Sequence, residues 1–175
     1  MNPWMSKAEI ATIIKYLTPQ QVMLEYGCGG STTTFCNYVK EYYSVEHNRK
    51  WYNKIIPQIK SNTKFFCVES NHVTPNTDRI LARSWDTLDS SSRSKDFKDY
   101  IQFPKSLGKT FDAVLIDGRA RPECAKFIYD YLKKDGVIFV HDYWARKPYH
   151  VIEEKYKVID AVKSGQSLAV LKKDI

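Results

Sequence analysis

Five short apolar runs alternate with longer amphipathic segments along the chain. Residues 21–26, 42–46, 64–68, 111–117 and 136–141 are rich in β-branched or aromatic side chains and bounded by turn formers, the pattern of strands buried on both faces. The segments between them carry helix signals. Residues 31–40 open with Ser and Thr hydroxyls able to accept from free N–H groups, and Pro57 bends or ends the helix predicted over 48–60. Pro122 suits a first helical turn, and that helix is expected to run through 123–134 until Asp135 and Gly136 stop it. An earlier helix carries the stripe Ile10, Ile13, Ile14 and Leu17, which faces a core. In the tail, 157–162 and 167–171 flank a short turn containing Gly165 and read as a β-hairpin.

Strand–helix alternation closing in a hairpin predicts an α/β fold of three layers. Its sheet is mostly parallel and seven-stranded, helices cover both faces, and the C-terminal hairpin brings in the antiparallel strand. Residues 71–107 fit this pattern least; they are polar and Ser-rich, and read as a short helix plus a mobile loop over the site. Composition narrows the picture. A chain of 175 residues argues for one domain, 1–175, and an apolar share of 43% with 12 Tyr, 8 Phe and 4 Trp excludes a disordered chain. No run approaches the ~20 apolar residues that span a bilayer, and the N-terminus lacks a signal peptide's apolar stretch. Cys28, Cys36, Cys67 and Cys124 are widely spaced, which indicates neither a zinc ribbon nor a disulfide scaffold and fits a reducing, cytoplasmic compartment. The net charge of +7 comes from scattered lysines and points only weakly to an acidic partner.

Open parallel sheets bind ligands outside the carboxyl ends of their strands, near the switch in strand order. The loop after the first strand, Glu25-Tyr26-Gly27-Cys28-Gly29-Gly30-Ser31, places glycines where side chains would obstruct a tight turn and a close ligand. Thr32 takes the third glycine position of the dinucleotide fingerprint, so that pattern is not met, yet the loop follows a strand and opens a helix. Glu46 ends the second strand, 19 residues after Gly27, where a carboxylate can accept from both hydroxyls of a ribose.

E-x-G-x-G with Glu46 at the end of the second strand resembles the class I S-adenosylmethionine-dependent methyltransferases, a Rossmann-like family, over nearly the whole chain. The resemblance implies that Glu25, Gly27, Cys28, Gly29, Gly30 and Ser31 line the methionine part of S-adenosylmethionine, with Asp117 nearby. By the same likeness Glu46 and His47 hold its ribose, and Glu69 and Ser70 stand at the adenine edge, where the family's more common Asp is absent.

Two further strand ends carry polar clusters, Asp117-Gly118-Arg119-Ala120-Arg121-Pro122 and His141-Asp142-Tyr143-Trp144. Methyl transfer from a sulfonium needs an in-line approach and, for a hydroxyl acceptor, removal of its proton. His141, Asp142 and Asp117 are the candidate bases, imidazole being best suited near neutral pH. Arg119 and Arg121 can orient an acceptor through forked donors or pair with Asp117. In the similar cation-dependent caffeoyl-CoA-type O-methyltransferases, acids at these two strand ends hold a divalent ion, which would make Asp117 and Asp142 ligands of Mg²⁺ or Mn²⁺. The sequence departs from that family in placing Tyr143 after Asp142. E-Y-G-x-G-G-S-T, D-G-R and H-D-Y also resemble a subgroup that includes plant glucuronoxylan methyltransferases, which implies a glycan or other small hydroxyl acceptor. Trp144 and Tyr149 could stack on a sugar face or pack in the core, and His47, His72 and His150 also read as surface residues.

Three other readings compete. A nucleic-acid methyltransferase is suggested by the charge and the Tyr and Trp content, but the N-P-P-Y motif is absent and Cys124 follows Glu123 rather than Pro. A non-catalytic Rossmann-like module would bind the cofactor without turnover. A nicotinamide dehydrogenase is disfavoured by Thr32 and by the terminal hairpin. Oligomeric state is not legible.

Overall fold

The strands are β1 (Val22–Tyr26), β2 (Glu41–Glu46), β3 (Thr63–Cys67), β4 (Phe111–Ile116), β5 (Leu132–His141), β6 (Tyr156–Val162) and β7 (Leu168–Lys173). They form one sheet in the order β3-β2-β1-β4-β5-β7-β6, and the structure, a computed structural model, describes residues 1–71 and 90–175 of the chain. The first five strands pair in parallel, while β7 inserts antiparallel between β5 and β6. Strand order reverses between β1 and β4, which opens the crevice where such sheets take ligands.

Period-two alternation divides the core. Met23, Tyr42, Ala113, Leu115 and Phe139 face one side, where α1 (Lys7–Lys15) and α2 (Gly30–Phe35) cover them through Ile13 and Phe35. Leu24, Tyr26, Val45, Val114, Ile116 and Ile138 face the other, under α4 (Ser90–Asp96), α5 (Lys98–Gln102) and α6 (Arg121–Ile128). The strand-end polar residues Glu25, Glu46, Asp117 and His141 all fall on the first side by the same alternation.

Helix limits follow local chemistry. Ser6 caps α1 in a reciprocal box with Glu9. Glycine and hydroxyl side chains make α2 a weak helix, which ends at Phe35 in a 3₁₀ turn. α3 (Arg49–Ile55) gives way to a 3₁₀ turn carrying Pro57, as expected. The helix expected through residue 134 is shorter. α6 stops at Ile128, and Leu132, buried, already pairs with Phe111. The register then jumps from Phe111↔Leu132 to Ala113↔Val137, so Lys133, Lys134 and Asp135 bulge out of the ladder, and Lys133 pairs with Asp112 at 2.8 Å.

The cover expected over 71–107 resolves differently in its second half. Phe97, Tyr100 and Ile101 are buried against Tyr26, whose hydroxyl donates to the Ile101 carbonyl at 2.8 Å, so 90–107 belongs to the packed layer. The loop expected over the site and His72 lie outside the described residues. All four cysteines are free thiols. Among the described residues no helix is long and apolar enough to cross a membrane.

Candidate active site

The loops after β1, β2, β4 and β5 surround a cavity of about 650 Å³ at the switch point, a size in the range of small-molecule sites. Its floor is the glycine loop. Gly27 has φ +88° and lies against the β4 loop: a Cβ there would sit 2.7 Å from the Gly118 backbone. A Cβ on Gly30 would collide with the Asn2 backbone at 2.1 Å, because residues Met1, Asn2 and Trp4 cross over the loop and help line the cavity.

Glu25 is fully buried beneath this loop, apart from the cavity lining. Its carboxylate accepts from the Ser31 hydroxyl, from Thr32 Oγ1 at 2.6 Å and from Ser44 Oγ at 2.8 Å, tying α2 to β1 and β2. The first acid of the motif therefore shapes the loop from below. Burial pushes its carboxyl up to about 7 despite those three donors. A carboxyl raised in the fold stabilises it fully when protonated, and that contribution fades as pH climbs from the ordinary 4.5 to about 7. Glu25→Gln removes the titration. The stability difference between variant and parent, measured by denaturant midpoints, is expected to shift by ~3 kcal/mol in favour of the variant between pH 4.5 and 8.

Glu46 behaves differently. It is 3% exposed yet lines the cavity. Oε2 accepts from the Cys28 N–H at 2.9 Å, Oε1 accepts from the Asn48 N–H at 2.7 Å, and His47 Nδ1 lies 2.9 Å from Oε1. Burial raises this carboxyl, but His47 and the two N–H groups outweigh it and hold it below the usual carboxylate range. An ionised carboxylate thus faces the glycine loop. Asn48 caps α3 and accepts from the Trp51 N–H, and the Trp51 indole donates to the Cys28 carbonyl at 2.5 Å, walling the loop. Burial, reinforced by Glu46, pushes the Cys28 thiol up and keeps it protonated.

At the far end of the cavity the β4 and β5 loops meet. Asp142 adopts φ +55°, and its N–H donates to the Ser167 carbonyl at 2.8 Å, which anchors the β5 loop to the hairpin. His141 Nδ1 lies 2.9 Å from Asp117 Oδ1, and Nε2 lies 3.4 Å from Oε1 of Glu9, which is fully buried. Burial lowers the imidazole, but Asp117 and Asp142 overcome it and hold His141 above its ordinary range. Both ring nitrogens of His141 thus lie near carboxylates.

Arg121 is the hub of the cluster. Its guanidinium donates to the Gly118 carbonyl at 3.0 Å, to the His141 carbonyl and to Asp142 Oδ2 at 3.0 Å, and lies 3.2 Å from Asp117 Oδ1. Of the two roles open to it in the sequence, it takes the pairing one. Both arginines line the cavity; Arg119 is half-buried, and burial together with neighbouring Arg121 pulls its guanidinium down.

The metal reading does not fit. Asp117, His141 and Asp142 bring one potential ligand atom each within 4.8 Å of one another. Two guanidinium groups already hold Asp142 Oδ2, with Arg146 at 3.3 Å joining Arg121, and Arg121 and His141 Nδ1 share Asp117 Oδ1. A divalent ion would enter against these cations, whereas Mg²⁺ and Mn²⁺ take open oxygen donors.

Four loops thus frame one polar cleft at the switch between β1 and β4. No protein-family model matches the chain, and no curated protein sequence matches it. Solved structures do. A methyltransferase-like protein from Silicibacter pomeroyi superimposes with a TM-score of 0.68 at 21% identity, over 98% of this chain and 89% of that one. An rRNA methylase from Streptococcus thermophilus gives 0.61 at 12% identity, over 98% of each chain. A TehB-like SAM-dependent methyltransferase from Corynebacterium glutamicum gives 0.59 at 13%, over 95% of this chain and 87% of that one. The fold is that of the Rossmann-like methyltransferases. At these identities the likeness establishes the architecture and leaves the chemistry to the site.

In that fold, the sequence-predicted residues Gly27, Cys28, Gly29, Gly30, Ser31, Glu46, His47, Asp117, Arg119, His141 and Asp142 share the cavity. Glu69 and Ser70 lie outside its lining among the described residues: Glu69 pairs with Arg49 on the exposed surface at 3.0 Å, and the Ser70 hydroxyl donates to the Asp96 carbonyl at 2.9 Å. Trp144 and Tyr149 pack inward. The Trp144 indole donates to the Leu168 carbonyl, and Tyr149 is buried beside Arg121. His150 stacks on Tyr143 at 4.9 Å. Glu9, Trp51, Lys50, Lys54 and Gln166 had no place in the sequence reading of the site. Glu9 carried a signal, being an acid four residues before Ile13 on the buried stripe of α1.

Proposed function

We propose that the protein is an S-adenosylmethionine-dependent methyltransferase that acts on an oxygen of a small molecule, with a sugar or similarly oxygen-rich compound as the acceptor class. The observation that carries this reading is the buried, ionised Glu46 at the end of β2, facing the bare backbone of the glycine loop across the cavity. Its remaining lone pairs suit the paired hydroxyls of a ribose, and the missing side chain at Gly29 leaves the main chain open to a ligand. Trp51 closes the same end. When bound, the cofactor supplies a methyl group on a sulfonium. Asp117, His141, Asp142 and Arg121 form the rigid opposite wall, which positions an acceptor and excludes water. The methylases and methyltransferases among the solved structures of this fold support the reading.

Titration of the protein with S-adenosylhomocysteine and, in parallel, NAD tests it. Saturable binding of the first and none of the second is expected; the reverse, or no binding of either, overturns the assignment.

One observation favours a nucleic-acid acceptor as a second reading. Trp4, 79% exposed, lies 6.2 Å from Trp51 at the cavity mouth, with Lys54 Nζ 4.6 Å above the Trp51 ring. Exposed aromatics with adjacent cations are how single strands are held, and a steep loss of binding with salt would mark that case.

A further inference from the structure

Residues Met1 to Met5 form neither helix nor strand, yet Met1, Asn2 and Trp4 line the cavity alongside the glycine loop. Their seat is shaped for main chain. A Cβ on Gly30 would lie 2.1 Å from the Asn2 carbonyl carbon and oxygen and 2.4 Å from the Pro3 nitrogen. The segment therefore crosses the first residue of α2 at a distance that only glycine allows. Gly30 has no left-handed φ to explain it, so its missing side chain serves the crossing rather than a turn. Pro3 stiffens this stretch, fixing its own φ and holding Asn2 extended. Trp4 then reaches Trp51, whose indole donates to the Cys28 carbonyl and so joins the crossing to the glycine loop.

The seat fits closely but is weakly tied. Among the described residues, no main-chain hydrogen bond involves residues 1–5. The Thr33 hydroxyl is shared between the Met1 carbonyl at 3.3 Å and the Gly30 carbonyl at 3.1 Å, and the Met1 amino group meets Gln58 at 3.4 Å. Trp4 keeps 79% of its surface in solvent. Segments held by so few buried contacts open at low free-energy cost. Behind the crossing the chain is fixed, with Met5 packed on the core and the Ser6–Glu9 box starting α1.

We propose that residues 1–5 are a strap that lifts off Gly30 and Trp51 to admit S-adenosylmethionine and closes over it, with Trp4 as the residue that holds the strap shut. The inference rests on the methyltransferase reading and goes beyond it, because it assigns the step that controls cofactor entry and release. A ligand lying along the glycine loop lies beside Asn2 and Trp4 in the same cavity, so closure excludes water and slows its escape.

The test measures association and dissociation rates of S-adenosylhomocysteine on the immobilised full chain by surface plasmon resonance, for wild type, Trp4→Ala, Trp4→Phe and Gly30→Ala. Trp4→Ala removes the aromatic hold. Gly30→Ala acts from the other side: the three atoms nearest its added methyl all belong to the strap, and alanine is the better helix former, so α2 itself is not weakened. Both changes are expected to speed dissociation about tenfold and association about threefold, since a raised strap neither holds nor obstructs the ligand; Trp4→Phe should stay near wild type. An ordinary contact residue alters dissociation alone, so association rates unchanged in both variants overturn the proposal. Trp4→Ala with neither rate changed also overturns it, and loss of single-stranded oligonucleotide binding in that variant would assign Trp4 to the nucleic-acid reading instead. The thermal midpoint of Trp4→Ala should stay within about 2 °C of wild type, as for other exposed positions; a larger fall would make Trp4 a structural residue and overturn its role. Wild-type protein that binds no S-adenosylhomocysteine is a separate result, which removes the methyltransferase reading and the strap's role together.

Discussion

Arg121→Met is expected to lower the thermal midpoint by about 10 °C, the largest loss of stability of any single change at this site. Methionine preserves much of the volume but removes every donor. Arg121 is 5% exposed and holds the carbonyls of Gly118 and His141 together with the carboxylates of Asp117 and Asp142. Without it, two acids 25% and 20% exposed lose their shared partner, and the carbonyls at the ends of β4 and β5 lose a donor. Breaking a buried charge cluster in this way costs about 3–5 kcal/mol. Arg121→Lys is expected to recover only part of it, since one ammonium cannot reach donors spread over two loops. A melting curve for each variant checks the prediction; a midpoint within 2–3 °C of wild type for Arg121→Met, on the order of 1 kcal/mol, would show that the acids are held by other means.

Glu46→Gln is expected to weaken S-adenosylhomocysteine binding by about 100-fold, the loss of roughly two charge-assisted hydrogen bonds to a ribose. Stability should fall less, by about 1–3 kcal/mol, because glutamine keeps one acceptor and turns an amide donor toward an N–H group. The site explains both effects. Cys28 and Asn48 donate to separate oxygens of the same carboxylate, so Glu46 shapes the loop and presents charge to the cavity together. Binding measured well below the melting temperature separates the two, and an unchanged dissociation constant would remove Glu46 from the cofactor site.

Much of this architecture was legible from residue order. The runs at 21–26, 42–46, 64–68, 111–117 and 136–141 became β1 to β5 within a few residues, because short β-branched and aromatic segments between turn formers have few alternatives to buried strands. The hairpin followed from Gly165, which adopts φ +72° in the turn between β6 and β7. Helix ends were less legible. Leu132 left α6 for the sheet because pairing with Phe111 buries it, a long-range contact that no local signal announces. Residues 71–107 read as a polar short helix plus a mobile loop, yet Phe97, Tyr100 and Ile101 reach the core from a single face.

The sequence by itself determined which residues stand at the carboxyl ends of the strands, and therefore that Gly27, Glu46, Asp117 and His141 would meet: strand alternation and a parallel sheet permit little else. Tertiary structure decided what each of them does there. Glu25 and Glu46 are both buried strand-end acids, but hydroxyls under a helix surround one, leaving it poised near neutrality, while main-chain N–H groups and His47 hold the other ionised. Against its burial, His141 is held above its ordinary range by Asp117 and Asp142, which strand order alone brings beside it, while Glu9, 132 positions away in the chain, packs against its far nitrogen. Charge state depends on the solvent and the neighbours a group meets in space, and neither of these is written in local order.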